Sequence, residues 1–265
     1  NAGFIALTEK NGLAHFQGDP AILITVAALI LIGSIGFWVL VDFFRLRRFS
    51  LFSLTTKLVL ITTTFLIASG SIIFLAYEYN NASTLGSLGF FEKAITALFE
   101  TISGRTAGFT TVDYGQTERH TNMFFTGLMF IGGAAGSVAG GIKVNTIAII
   151  LVAVVSILKG REQTVVFGRE IPQVSVRRAM IIASLSLVFV FFILMALSIS
   201  EPSLNFIDIM FETISAFGTV GLSTGITREI SPVGHLIIIF TMFIGRIGPL
   251  TIGLAMLKNV SPDPY

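Results

Sequence analysis

"FETISGRTAGFTT" occupies Phe99–Thr111, and "FETISAFGTVGLST" occupies Phe211–Thr224. The opening pentapeptide is identical in the two. With one extra residue allowed in the second copy, Gly108 pairs with Gly221. Further along, "FIGGAAG" (Phe130–Gly136) faces "FIGRIGP" (Phe243–Pro249) at the same offset. Two matches in register mark an internal duplication, and a molecule built from copies of one unit explains them.

The material being copied is membrane-like. Apolar residues make up 53% of the 265 residues and charged residues 12%, against roughly 45–50% and 25% in soluble domains. Mean hydropathy is +0.86. Ala21–Val41 carries no charge, and Leu58–Tyr77 and Ala179–Ser200 are similar. Each run can cross a bilayer core of about 30 Å, which needs roughly 20 helical residues. The expected class is therefore an all-α membrane protein. The chain contains no cysteine, so disulfides and thiolate metal sites are excluded. The net charge of +2 is small and sits in short loops, so no nucleic-acid partner is implied. His15, His120 and His235 show no metal-binding spacing.

Basic residues set the orientation. Asp42–Lys57 holds Arg45, Arg47, Arg48 and Lys57, and Lys159–Arg178 holds Lys159, Arg161, Arg169, Arg177 and Arg178. The positive-inside rule makes both segments cytoplasmic and turns both FETIS copies outward.

Each copy reads as an apolar span, a short helix, a glycine-containing loop and a second apolar span. The short helices, Phe91–Ser103 and Phe206–Ser215, are too short to cross. Non-helical backbone at membrane depth persists only where protein buries it or a watery cavity receives it. Loop glycines can adopt positive φ and turn carbonyls to one side. Such carbonyls can replace the water shell of a cation, and the short helix aims its C-terminal partial negative charge at the same point. The plainer alternative is that the glycines serve close helix packing. "NAGF" at Asn1–Phe4 resembles "TAGF" at Thr106–Phe109, and the span after it contains "IGSIG" (Ile32–Gly36), a counterpart of "IGRIG" (Ile244–Gly248). The expected division is 1–57 for the remainder of one unit, 58–176 for a complete unit and 177–265 for another.

Gly132–Lys143, "GGAAGSVAGGIK", interrupts the 38 low-charge residues Thr121–Leu158. One helix of that length would run roughly 57 Å. Five glycines between Gly132 and Gly141 predict a break instead, either a bent helix with a small-residue face or a mobile loop across the path. A phosphate-binding role fails, because Ile142 separates Gly141 from Lys143 and the G-x-x-x-x-G-K-[ST] pattern is lost. Arg246 lies within an apolar span, where a charge needs a cavity or a partner. It is expected to reach the gate loop's carbonyls, or else to pair with Glu100 or Glu212. Those two carboxylates are expected chiefly to accept hydrogen bonds from loop amides.

Taken together, "RTAGFTT", "IGGAAGSVAGGIK" and "FGTVGLST" resemble the Trk/Ktr/HKT superfamily of potassium transport proteins, and look most like its KtrB branch. The resemblance implies four span–pore helix–filter loop–span units arranged pseudo-fourfold around a pore, of which this sequence supplies two and a fraction. It assigns potassium coordination to Asn1, Ala2 and Gly3, to Thr106, Ala107 and Gly108, and to Thr219, Val220 and Gly221. It assigns gating to Gly136, Ser137, Val138, Ala139, Gly140, Gly141, Lys143 and Arg246. It implies no bound cofactor, potassium as cargo and sodium as a candidate activator. It also implies a multi-pass protein of the cell (inner) membrane, with the filter side external. The implied assembly is a homodimer on a cytosolic nucleotide-binding ring of the RCK type, such as KtrA. A TrkH-like subunit or a less selective sodium/potassium pathway is the alternative within transport. A membrane enzyme would need His, Asp or Glu clusters inside the spans, which contain almost none, so the expectation is a non-enzyme.

Overall fold

Apolar runs become helices because lipid offers the backbone no hydrogen-bond partner. In the computed structural model, which describes residues 3, 12–161 and 163–248, nine helices account for most of the described chain. They are α1 (Pro20–Ile35), α2 (Phe37–Leu46), α3 (Leu54–Glu78), α4 (Phe90–Ser103), α5 (Arg119–Phe130), α6 (Val144–Leu158), α7 (Gln173–Ser200), α8 (Phe206–Gly218) and α9 (Pro232–Ile247). A two-residue ribbon, Val165–Val166 against Arg169–Glu170, follows α6.

Helices α3 and α7 are each long and apolar enough to span a membrane. By contrast α4, with 14 residues, and α8, with 13, reach only about 20 Å. Helix α4 packs against α3 and α1, and α8 packs against α7, α9 and α5. The relation of α1 to α4 is thus repeated by α5 and α8. Between the copies lies an aromatic core. Tyr114 sits 5.4 Å from Phe125 and 5.3 Å from Phe211, centroid to centroid, and Phe74 sits 5.2 Å from Phe125.

The expected span Ala21–Val41 is not one straight helix. It breaks at Gly36 (φ 90°, ψ 145°), and α2 leaves α1 at 101°. The cause is tertiary. The Ala134 N–H donates to the Ser34 carbonyl (2.8 Å), the Val138 N–H to Gly33 (3.2 Å) and the Phe37 N–H to Gly136 (3.3 Å). The segment after α5 thus satisfies the carbonyls that the break exposes. The "IGRIG" counterpart ends α9 in the same way, at Gly248 with φ 90° and ψ 135°. The break expected in Thr121–Leu158 is present, between α5 and α6.

Carboxylates tie the helix ends together. Glu78, the last residue of α3, is fully buried. It accepts hydrogen bonds from Asn81 Nδ2 (2.7 Å), Thr84 Oγ1 (2.8 Å), the Glu118 N–H (2.9 Å) and Thr121 Oγ1. Glu201, just after α7, accepts from the Ser231 N–H (3.1 Å) and the Ser231 hydroxyl. In both copies a buried acid thus joins the end of the first span to the start of the second. Replacing Glu78 with Ala strands several donors in the interior and should destabilise the protein by about 3 kcal/mol. Thermal unfolding in detergent reads this as a clear fall in Tm, and an unchanged Tm would contradict the assignment.

Candidate functional site

Four residues of the repeated pentapeptide play matching parts in the two copies. Phe99 and Phe211 are buried at 1% and 0% exposure. Thr101 Oγ1 donates to the Ala97 carbonyl (2.8 Å), and Thr213 Oγ1 to Ile209 (2.7 Å), so neither hydroxyl is left bare. The Ser103 hydroxyl donates to the Phe109 carbonyl, and the Ser215 hydroxyl to Leu222 (2.6 Å). Glu100 and Glu212 each reach the residue eleven positions on. Glu100 accepts from the Thr111 N–H (2.7 Å), Thr111 Oγ1 (2.9 Å), Thr110 Oγ1 (3.0 Å) and Tyr114 OH (3.0 Å). Glu212 accepts from Ser223 Oγ and Thr227 Oγ1 (3.0 Å). The acid and the serine bracket each glycine loop from its far side. A negative charge near a helix C-terminus is unfavourable, and for Glu100 these four donors compensate it.

The loops so held have unusual backbone. Thr106 (φ 76°) and Gly108 (φ 79°) are left-handed, as are Thr219 (φ 50°) and Gly221 (φ 93°). Alternating the sign of φ along a short extended segment turns successive carbonyls to one side. Threonine in this region is strained; Thr106 is buried and Thr219 half-buried. The one extra residue of the second copy is Gly218, where α8 ends, three residues beyond Ser215, whereas α4 ends at the equivalent Ser103.

The glycines meet. A Cβ on Gly3 (φ 66°) would lie 2.8 Å from the Ala107 carbonyl oxygen and 3.3 Å from the Gly108 Cα. A Cβ on Gly108 would lie 2.5 Å from the Val220 carbonyl oxygen and 3.2 Å from the Gly221 Cα. Both contacts use the same pair of atoms, a carbonyl oxygen and the following glycine Cα, so Gly3, Gly108 and Gly221 stand in series. Asn1 and Ala2 lie outside the described residues.

The expected gate residues other than Arg246 lie in one loop, 131–143. Its neck is closed by a bridge of Ile131 to Ile142, with the Gly132 N–H donating to the Ile142 carbonyl (2.8 Å). One side rests on the α1–α2 corner through the three bonds given above. The other side meets the end of α8. Gly140 abuts the Thr219 hydroxyl and the Gly218 carbonyl, so only glycine fits there. The Gly141 N–H donates to the Gly245 carbonyl at 3.3 Å. The loop thus reaches from the α1–α2 corner to the end of α8 and the start of the Thr219–Gly221 loop.

Three cations hold this loop by its carbonyls. Arg246 Nη1 donates to Val138, Lys143 Nζ to Ala139, and Arg105 Nη2 to Gly132 at 3.0 Å. Arg246 therefore bonds the loop, while Glu100 and Glu212 take their donors from their own loops. Arg105 was not among the sequence candidates. Its only signal was a charge opposite Phe217 of the other copy. Tyr114, Thr110 and Thr111 also escaped notice, because nothing local in the sequence marks them as ligands of Glu100.

The comparisons agree with this architecture. The TrkH family model, described as a cation transport protein, matches residues 1–263. Ktr system potassium uptake protein B of Bacillus subtilis is 43% identical over 98% of this chain, and its Vibrio alginolyticus counterpart is 36% identical over 100%. The potassium/sodium uptake protein NtpJ of Enterococcus hirae is 37% identical over 98% of the chain. The chain spans 58%, 57% and 58% of these relatives, respectively. The crystal structure of the potassium transporter TrkH from Vibrio parahaemolyticus shares the fold, with a TM-score of 0.76 at 18% identity, over 98% of this chain and 56% of that one. With a family match along nearly its whole length and helices that can span a bilayer, this chain belongs to the TrkH family of cation transport proteins.

Proposed function

We propose that the chain forms part of the ion-translocating subunit of a potassium uptake system in the cell (inner) membrane. One observation carries this reading. Gly3, Gly108 and Gly221, all left-handed, lie against one another, with Gly3 set against the Ala107 carbonyl and Gly108 against the Val220 carbonyl. Potassium sheds its water there onto carbonyls of the loops at Asn1–Gly3, Thr106–Gly108 and Thr219–Gly221. Units 58–176 and 177–265, the remainder in 1–57 and one further unit complete a pseudo-fourfold ring. The filter faces outward and the basic segments face the cytoplasm.

Beneath the filter, the loop containing Gly136, Ser137, Val138, Ala139, Gly140 and Gly141 closes the path. Lys143 and Arg246 pin it, and their charges lower cation occupancy below the filter. A homodimer on a cytosolic nucleotide-binding ring completes this reading, and relatives named as parts of a Ktr system support only that such a subunit works with others. Sodium as an activator belongs to the same reading.

Rubidium uptake into vesicles holding the complete protein, with and without sodium, tests the proposal. Uptake above that of protein-free vesicles is expected, with rubidium preferred over sodium. Uptake at the protein-free level would overturn it. Equal passage of the two ions would favour the less selective sodium/potassium pathway, which the relative named for potassium/sodium uptake supports.

A further inference from the structure

Arg105 stands directly before the Thr106–Gly108 loop, and the fold buries it to 2% exposure. Its backbone N–H donates to the Ile102 carbonyl (3.2 Å), which fixes it to the end of α4. Its guanidinium crosses to the neck of the 131–143 loop and donates to the Gly132 carbonyl at 3.0 Å. Its Nε is buried and has no hydrogen-bond partner among the described residues.

The duplication supplies an internal control. In the other copy the position of Arg105 is Phe217, fully buried, and the position of Gly132 is Gly245. There α9 runs unbroken through Gly245 to Ile247, and the two backbones pack directly. Only the copy with an interrupted helix carries the arginine. The break strips the Gly132 carbonyl of a helical donor, and the guanidinium replaces it. A neutral donor would do this without burying a charge, which is expensive to desolvate. The use of arginine selects a strong bond between two particular segments.

We infer that Arg105 is a positioning residue that latches the neck of the gate loop to the filter loop beside it, so that the gate cannot leave its seat without releasing this bond. The inference rests on the transport reading above for its purpose, while its geometry stands apart from it. Arg105 also links the backbone that would line the ion site to the loop that would close the path. Loss of the latch frees the gate and leaves the filter's preference among ions intact.

The experiment uses the full-length protein with Val138→Cys as a reporter. Val138 is an exposed residue of the loop, and this chain has no cysteine of its own. Any cysteine elsewhere in the protein is first replaced. The rate of modification by a membrane-impermeant thiol reagent added from the cytoplasmic side is compared with and without Arg105→Met. The apolar twin Phe217 indicates that the fold accepts such a group. A lost charge-assisted hydrogen bond corresponds to a rate increase of about tenfold or more. Rubidium flux should rise with it, at an unchanged rubidium-to-sodium ratio. A second reporter, Ile157→Cys at the exposed end of α6, should keep its rate, which separates release of the gate from general loosening.

An unchanged rate at Val138→Cys overturns the latch. So does an equal rise at both reporters. Should Arg105→Met fail to reach the membrane, Arg105→Lys keeps the charge without the planar fork. A smaller rise at Val138→Cys is then expected, and no rise overturns the inference. A faster thiol rate in a protein that passes no rubidium would remove the transport reading and leave the latch standing. Rubidium flux with an unmoved thiol rate would do the reverse.

Discussion

Replacing Gly108 with Ala should collapse discrimination between rubidium and sodium. The residue sits at φ 79°, and its new methyl would lie 2.5 Å from the Val220 carbonyl oxygen. Neither partner can yield cheaply. Val220 is buried at 2% exposure, and its N–H is fixed to the Ser215 carbonyl at 2.8 Å. The left-handed backbone alone penalises alanine by about 1–2 kcal/mol. The Val220 carbonyl must swing aside, and it is one of the oxygens proposed to hold the ion. A change of about 1.4 kcal/mol in relative coordination is tenfold in preference, so the rubidium-to-sodium uptake ratio should fall by about tenfold or more. Gly221→Ala makes a graded comparison. Its Cβ would meet only the Gly108 Cα, at 3.5 Å, so the loss should be smaller. An unaltered ratio in a well-expressed Gly108→Ala protein would show that this cluster does not select ions.

Arg246→Gln should open the path. Arg246 lies in the last turn of α9 and donates to the Val138 carbonyl of the 131–143 loop, which is proposed to close the path. Glutamine is shorter and neutral, so both the bond and the positive charge below the glycine cluster are lost. The arginine is exposed, which keeps the bond near the lower end of the scale, about 1 kcal/mol. That corresponds to about a fivefold gain in the released population of the loop. Rubidium flux measured without an activating partner should rise several-fold. Normal folding with unchanged flux would remove Arg246 from the gate.

Much of this was readable from particular residues. The short helices expected at Phe91–Ser103 and Phe206–Ser215 are observed at Phe90–Ser103 and Phe206–Gly218. Their composition carried the signal, since apolar runs that end in a glycine loop cannot continue as spans. The break at 131–143 was announced by five glycines in ten residues. The break at Gly36 was not, because small residues such as Gly33 and Gly36 also serve close packing of unbroken membrane helices. Its cause lies a hundred residues away, in N–H groups of Ala134 and Val138 that the sequence around Gly36 cannot reveal.

The site shows the same division. The pentapeptide could be seen to repeat, but its chemistry could not be read until the loops were folded back. Glu100 needed Thr110, Thr111 and Tyr114 to be brought onto one side of α4. Nothing local in the sequence distinguishes Arg105 from the other charges. Only the pairing of the two copies, arginine against phenylalanine, shows that the third cation on the 131–143 loop belongs to the copy with the interrupted helix. Comparison between internal copies thus recovered a contact that local pattern could not.

The most direct test is to locate the ion. A structure of the full-length protein in rubidium or thallium, using anomalous scattering, should place density on the axis enclosed by Gly3, Gly108 and Gly221, within coordinating reach of the Ala107 and Val220 carbonyls. Ordered loops with no density there, and a bound cation elsewhere in the molecule, would contradict the account.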